Sequence, residues 1–167
     1  MFTSIQDFTT DYKDEREGTL KILGALTDAS LAQKVAADHR NLGRIAWHLV
    51  TSYPEMTSHA GLSIKAVDMN APVPSTAALI KDAYAAASQE MLDQITASWT
   101  DATLQEEKNF YGANWKLGFA LEVLIRHEVH HRAQMTVLMR QAGLKVPGVY
   151  GPALEEWAKY GAPAPEV

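Results

Sequence analysis

The sequence predicts an all-α fold, a four-helix bundle. Three observations carry this reading. Four long segments show helical apolar periodicity, strand signals are weak throughout, and turn-forming residues gather in a few stretches between those segments. Four helices of about 19–28 residues would each span ~30–40 Å, long enough for a bundle. The 167 residues, 47% of them apolar, suit one domain over 1–167 with a sizeable core.

The first helix is expected from about Ser4 to Leu26, with Ile5, Phe8, Tyr12, Leu20, Leu23 and Leu26 near one face. A short link near Asp28 follows. The second helix is expected from about Asn41 to His59, with Leu42, Ile45, Ala46, Leu49, Tyr53 and Met56 as its apolar stripe. Pro54 lies inside it and removes one backbone hydrogen bond. A kink is expected there, because Glu55, Met56 and His59 continue the period. The stretch AGLSIKAVDMNAPVPS then forms a long loop, suited to a crossover between helices two and three. The third helix is expected from about Ser75, as cap, to Trp99, with Leu79, Ala83, Ala87, Met91 and Ile95 recurring every fourth residue. The loop DATLQEEKNFYGAN leads to the fourth helix, about Trp115 to Ala142, with Asn114 as N-cap and Gly143 as the residue just past its end. A short C-terminal tail, VPGVYGP and a short helix around Leu154–Lys159, completes the chain. The four helices are expected to pack antiparallel.

Composition excludes several classes of function. The net charge is −5 and the Lys and Arg residues are scattered, which argues against nucleic acid as a partner. There is no cysteine, so disulfides and thiolate metal sites are excluded and any thiol chemistry needs an external thiol. The N-terminus MFTSIQDFTTDYKDE lacks the basic flank and apolar core of a signal peptide. No apolar run approaches the ~20 residues that span a membrane. A cytoplasmic protein with no membrane partner is expected.

The chemistry concentrates in LIRHEVHHRAQM, residues 124–135, which holds three of the six histidines. At about 100° per residue, His127 and His131 point within about 40° of each other, on the face shared by Ala120, Leu124, Gln134 and Leu138. His130 lies on the flank. His127 and His131 are therefore the better chelating pair, at a spacing that one metal ion can bridge. A zinc-like ion in a site with open positions usually takes three protein ligands. His39, His48 and His59 are the candidates for the third. His48 sits mid-helix at the border between the apolar stripe and a polar line of Asn41, Ser52, Glu55 and His59, His39 before the helix, and His59 near its end. HEVHH also matches the zinc-peptidase pattern HExxH. In that reading Glu128 is the base and a downstream residue such as Glu155 the third ligand. It is disfavoured, because no strand is visible to present to a peptide.

Taken together, AWHLVTSYPEM (46–56), LIRHEVHHRAQM (124–135) and QAGLKVPGVYGP (141–152) resemble the DinB/YfiT-like family of metal-dependent four-helix bundles. The resemblance covers nearly the whole chain, and the HxxxHHRxQ run with a distant histidine is its specific part. It implies a divalent ion held by His48, His127 and His131, and a homodimer. One departure is Ala133, where the family more often has Gly, and Ala suits a helix interior at least as well. Several relatives are thiol-dependent enzymes. The resemblance therefore implies a metal-dependent enzyme acting on a small molecule, such as a low-molecular-weight-thiol S-transferase. The alternatives are a metal-dependent hydrolase and a non-catalytic metal-binding bundle. An all-imidazole ligand set suits Zn2+ or Ni2+ better than calcium or magnesium. Gln134 and Glu55 are candidates to support the ligands from behind. The sequence names no catalytic residue.

Overall fold

The computed structural model describes residues 1–166. Its order is α1 (Ile5–Gly24), α2 (Leu42–His59), α3 (Ala77–Ser98), a hairpin of β1 (Glu107–Phe110) and β2 (Ala113–Lys116), and α4 (Leu117–Gln141). Short 3-10 turns occur at Asp28–Ala32, Thr103–Gln105 and Leu154–Tyr160. The last of these is the short tail helix expected from the sequence.

Local capping sets the helix ends. Ser4 accepts a hydrogen bond from the Asp7 N–H, and Asn41 accepts one from the Arg44 N–H. Thr76, not Ser75, caps α3 by accepting from the Leu79 N–H. At the end of α4, Gly143 takes φ +76°. Its N–H donates to the Arg140 carbonyl, and that of Leu144 to the Met139 carbonyl. This is the left-handed stop expected of that glycine. Helix α2 runs through Pro54 to His59 and does not end at the proline.

Other expectations need correction. Asn114 does not cap α4. It lies in β2, paired with Asn109, and α4 starts after Lys116 with no side-chain cap. The loop before α4 is a hairpin turning at Tyr111 and Gly112, both with positive φ (52° and 87°). That backbone matches the twist of paired strands. The stripe drawn for α3 also differs. Leu79 is 55% exposed, and the buried line is Ala77, Ile80, Tyr84, Ala87, Met91 and Ile95. Steps of four residues advance about 40° past a full turn, so a line from Leu79 to Ile95 walks about 160° around the helix and leaves the core face.

Helices α3 and α4 each pack against both α1 and α2, so α1 and α2 lie on a diagonal. The loop after α2 runs back along α3. The Ser63 N–H donates to Gln94, the Lys65 N–H to Glu90, and Trp47 Nε1 to the Ala71 carbonyl. The chain thus travels from the end of α2 to near its start before α3 begins. This is the crossover expected from the loop length. It makes α2 and α3 parallel neighbours, which corrects the expectation of uniformly antiparallel helices. Phe8, Tyr12, Ile22, Leu49, Ile80, Met91 and Ile95 are among the side chains that fill the centre. No helix among the described residues is long and apolar enough to cross a membrane.

Candidate metal centre

His48 on α2 faces His127 and His131 on α4, because these two helices pack side by side. Its Nε2 lies 3.2 Å from His127 Nε2, which lies 3.1 Å from His131 Nε2. One ligand atom from each of the three residues falls within 4.8 Å of the other two. The rings meet edge to face, with centroids 4.5–5.0 Å apart. Two metal–nitrogen bonds of about 2.1 Å separate their nitrogens by ~3.0 Å at a right angle and ~3.4 Å at the tetrahedral angle. The observed spacing lies between these values.

The protonation states suit an ion. Burial, followed by the neighbouring imidazoles, lowers His48 to about 4. Burial and the charges of His131, His130 and Arg40 lower His127 to about 4. His131 is also lowered, mainly by burial. All three are neutral at pH 7, the form that binds metal. Gln134 fixes one tautomer. Its Nε2 donates to His130 Nε2 at 3.1 Å, which leaves Oε1 to accept from His131 Nδ1 at 2.8 Å. The lone pair of His131 is then on Nε2, facing the other two rings. Converging lone pairs are poorly satisfied by one another, and a cation satisfies them at once. The three residues fit a divalent ion.

The other residues singled out in the sequence fall around this centre. Gln134 sits behind His131 in the expected supporting place. His130 is exposed, bonds to Gln134, and is not in the converging group. Glu55 shares a cavity of about 200 Å3 with His48, Thr51, Ser52, Met69 and Asn70. Its carboxylate accepts from the Tyr111 hydroxyl at 2.9 Å, and no hydrogen bond joins it to the His48 ring. A second cavity of about 530 Å3 opens beside His131 and Gln134, lined also by Val35, Ile45, Val137 and Leu138. His39 lines that cavity and is bonded to Asp38, while His59 packs against Phe110 and Tyr111.

The peptidase arrangement is not formed. Glu128 is 2% exposed and points into the bundle. It accepts from Thr19 (2.6 Å), Tyr84 (2.6 Å) and Tyr53 (2.5 Å), and Tyr12 donates in turn to Tyr53 at 2.8 Å. Burial, and after it the Glu128 charge, holds all three tyrosines well above the ordinary phenol range, so they remain donors. Glu155 pairs with Arg140 instead of a metal centre. Arg132, 3% exposed, donates to Thr19, Glu15 and Tyr150, tying α4 to α1 and the tail. The deepest face of α4 thus carries Glu128 and Arg132, while the histidines sit half-buried at its edge. Sequence reading missed this network. Its one signal is a Glu and an Arg four residues apart on the line of Leu121, Leu124, Met135 and Met139.

Comparison with known proteins gives a consistent result. The DinB family model matches residues 1–166. An uncharacterized protein, YrdA of Bacillus subtilis (strain 168), is 47% identical over 167 residues, with both chains fully covered. The crystal structure of a DinB-like protein from Bacillus cereus ATCC 10987 superimposes with a TM-score of 0.86 at 42% identity, covering 90% of this chain and all of that one. A DinB-like protein from Bacillus subtilis (YjoA) shares the fold, with a TM-score of 0.67 at 15% identity over 86% of this chain and 97% of that one. The chain belongs to the DinB family.

Proposed function

We propose that this protein is a metal-dependent enzyme, a transferase in which the sulfur of an external low-molecular-weight thiol forms a C–S bond to an organic electrophile as the bond to the leaving group breaks, the leaving group departing with its electron pair and the thiol proton passing to solvent. The observation that carries the reading is the convergence of three neutral imidazole nitrogens beside an open, largely apolar cavity. A divalent ion bound there, Zn2+ or Ni2+, would hold a thiol as thiolate at neutral pH and keep it nucleophilic.

The chain's own residues support this over hydrolysis. A three-histidine ion can ionise bound water as well as a thiol, but a hydrolytic site also uses a positioned acid or base to move a proton to the leaving group. The carboxylates beside the centre are engaged, Glu55 with Tyr111 and Asp38 with His39. Glu128 is turned into the core and held there by Thr19, Tyr53 and Tyr84. His48, His127 and His131 contribute no charge, so the full positive charge of an ion is retained for the thiolate. Gln134 holds His131 in the required tautomer, and Val35, Ile45, Val137 and Leu138 offer a dry wall to the second substrate.

The test uses cobalt-substituted protein. Addition of low-molecular-weight thiols should produce a thiolate-to-metal charge-transfer band, absent in His48→Ala, and turnover of a model electrophile should follow the band. A metal-loaded protein that shows no band with any thiol tried would refute the transferase reading.

A further inference from the structure

The 530 Å3 cavity beside His131 has one cationic feature that the proposed chemistry does not use. Arg40 stands on its wall, immediately before the Asn41 cap of α2. Arg126, Arg132 and Arg140 pair with Glu122, Glu15 and Glu155, and Arg16 bonds to Ser88 and the Ala85 carbonyl. Arg40 has no carboxylate partner among the described residues. The one acidic group on the same wall, Asp38, is bonded to His39 at 2.7 Å. The same cavity is lined by the apolar side chains of Val35, Ile45, Val137 and Leu138. Val35 and Val137 are more than half exposed, although large aliphatic side chains at such positions gain from being covered.

A free guanidinium at one end of an apolar cavity is a recognition pattern. The planar fork suits a carboxylate, sulfonate or phosphate, and the dry wall suits hydrocarbon. We infer that the cavity is the substrate pocket and takes an amphiphilic organic anion, its charged end on Arg40 and its apolar body against Val35, Ile45, Val137 and Leu138. His131, on the same wall, places the centre next to that apolar body. That this anion is the substrate rests on the metal-enzyme reading above, while its binding does not.

Hexanoate and its neutral counterpart 1-hexanol serve as probes, titrated into the 15N-labelled full chain in metal-loaded and chelator-stripped forms. Amide shifts should be confined to residues 35–45 and 131–138. Hexanoate should bind roughly twofold to fivefold more tightly than hexanol, as for a solvent-exposed ion pair. Arg40→Gln should abolish that preference and leave hexanol binding and metal content unchanged. Equal affinity for the two probes, an unaltered preference in Arg40→Gln, or shifts on another surface would overturn the inference. So would hexanoate binding that requires metal and ignores Arg40, since the carboxylate would then be a metal ligand. Protein that takes up no metal yet binds hexanoate through Arg40 would refute the enzyme reading and leave the anion site standing.

Discussion

Glu128 occupies a position where an apolar residue would be expected, and its neighbours explain why it is tolerated. Three hydroxyls donate to its carboxylate, and Arg132 is coupled to it through Thr19. Removing the acceptor leaves three buried hydroxyl donors without it, while Arg132 keeps its pair with Glu15. Glu128→Ala should therefore lower unfolding stability by about 3 kcal/mol or more, while the metal content of the folded fraction is unchanged. A loss under ~1 kcal/mol in urea denaturation would contradict this role, because that is the scale of an ordinary exposed contact. Residue-scale legibility followed sequence distance. The pairing of His127 with His131 was readable because helix geometry alone aligns residues four apart. His48 was one of three candidates until the family resemblance selected it, since nothing local places α2 against α4. The burial of Glu128 and Arg132 was not readable at all. It depends on hydroxyls from three other helices.

At the scale of elements, apolar periodicity and the positive-φ stop at Gly143 made the helix ends legible to within a few residues, while the caps expected at Ser75 and Asn114 are not formed. The hairpin was hidden for a physical reason. Its strands have four residues each, too short for an alternating pattern, and its turn puts Tyr111 in a left-handed conformation that usually selects Asn, Asp or Gly. The Tyr111 hydroxyl is held by Glu55, a partner 56 residues away. The hairpin delivers the chain to Gly118, in the first turn of α4, where the N-terminal strand of chain lies close. The Gly118 carbonyl accepts from the Phe2 N–H at 3.1 Å, and an added Cβ would collide with the Phe2 carbonyl oxygen. Gly→Ala in a helix normally stabilises by up to ~1 kcal/mol. Gly118→Ala should instead destabilise by about 1–3 kcal/mol, because backbone must move to admit the methyl group. A thermal midpoint equal to or above that of the wild type would show that the N-terminal contact is dispensable.

For the whole molecule, the crossover is readable from loop length, while the parallel course of α2 and α3 is fixed by contacts of the returning loop that no local pattern encodes. A loop of that reach, returning along the bundle, makes α2 and α3 parallel and leaves α2 free to run beside α4. We propose, on the family resemblance alone, that the chain forms a homodimer. Light scattering at micromolar concentration should give twice the chain mass, and the monomer mass would count against it. The candidate metal centre belongs to this scale, because α2 and α4 meet only in the assembled bundle and no local segment contains all three histidines. Its direct test is metal content by elemental analysis after loading with Zn2+ or Ni2+ and removal of unbound ion. The wild type should retain one ion per chain, and His130→Ala and Glu128→Gln should retain it as well. His48→Ala, His127→Ala and His131→Ala should each lose it while remaining folded. Retention of the ion by His48→Ala, or its loss from Glu128→Gln, would contradict the three-histidine centre.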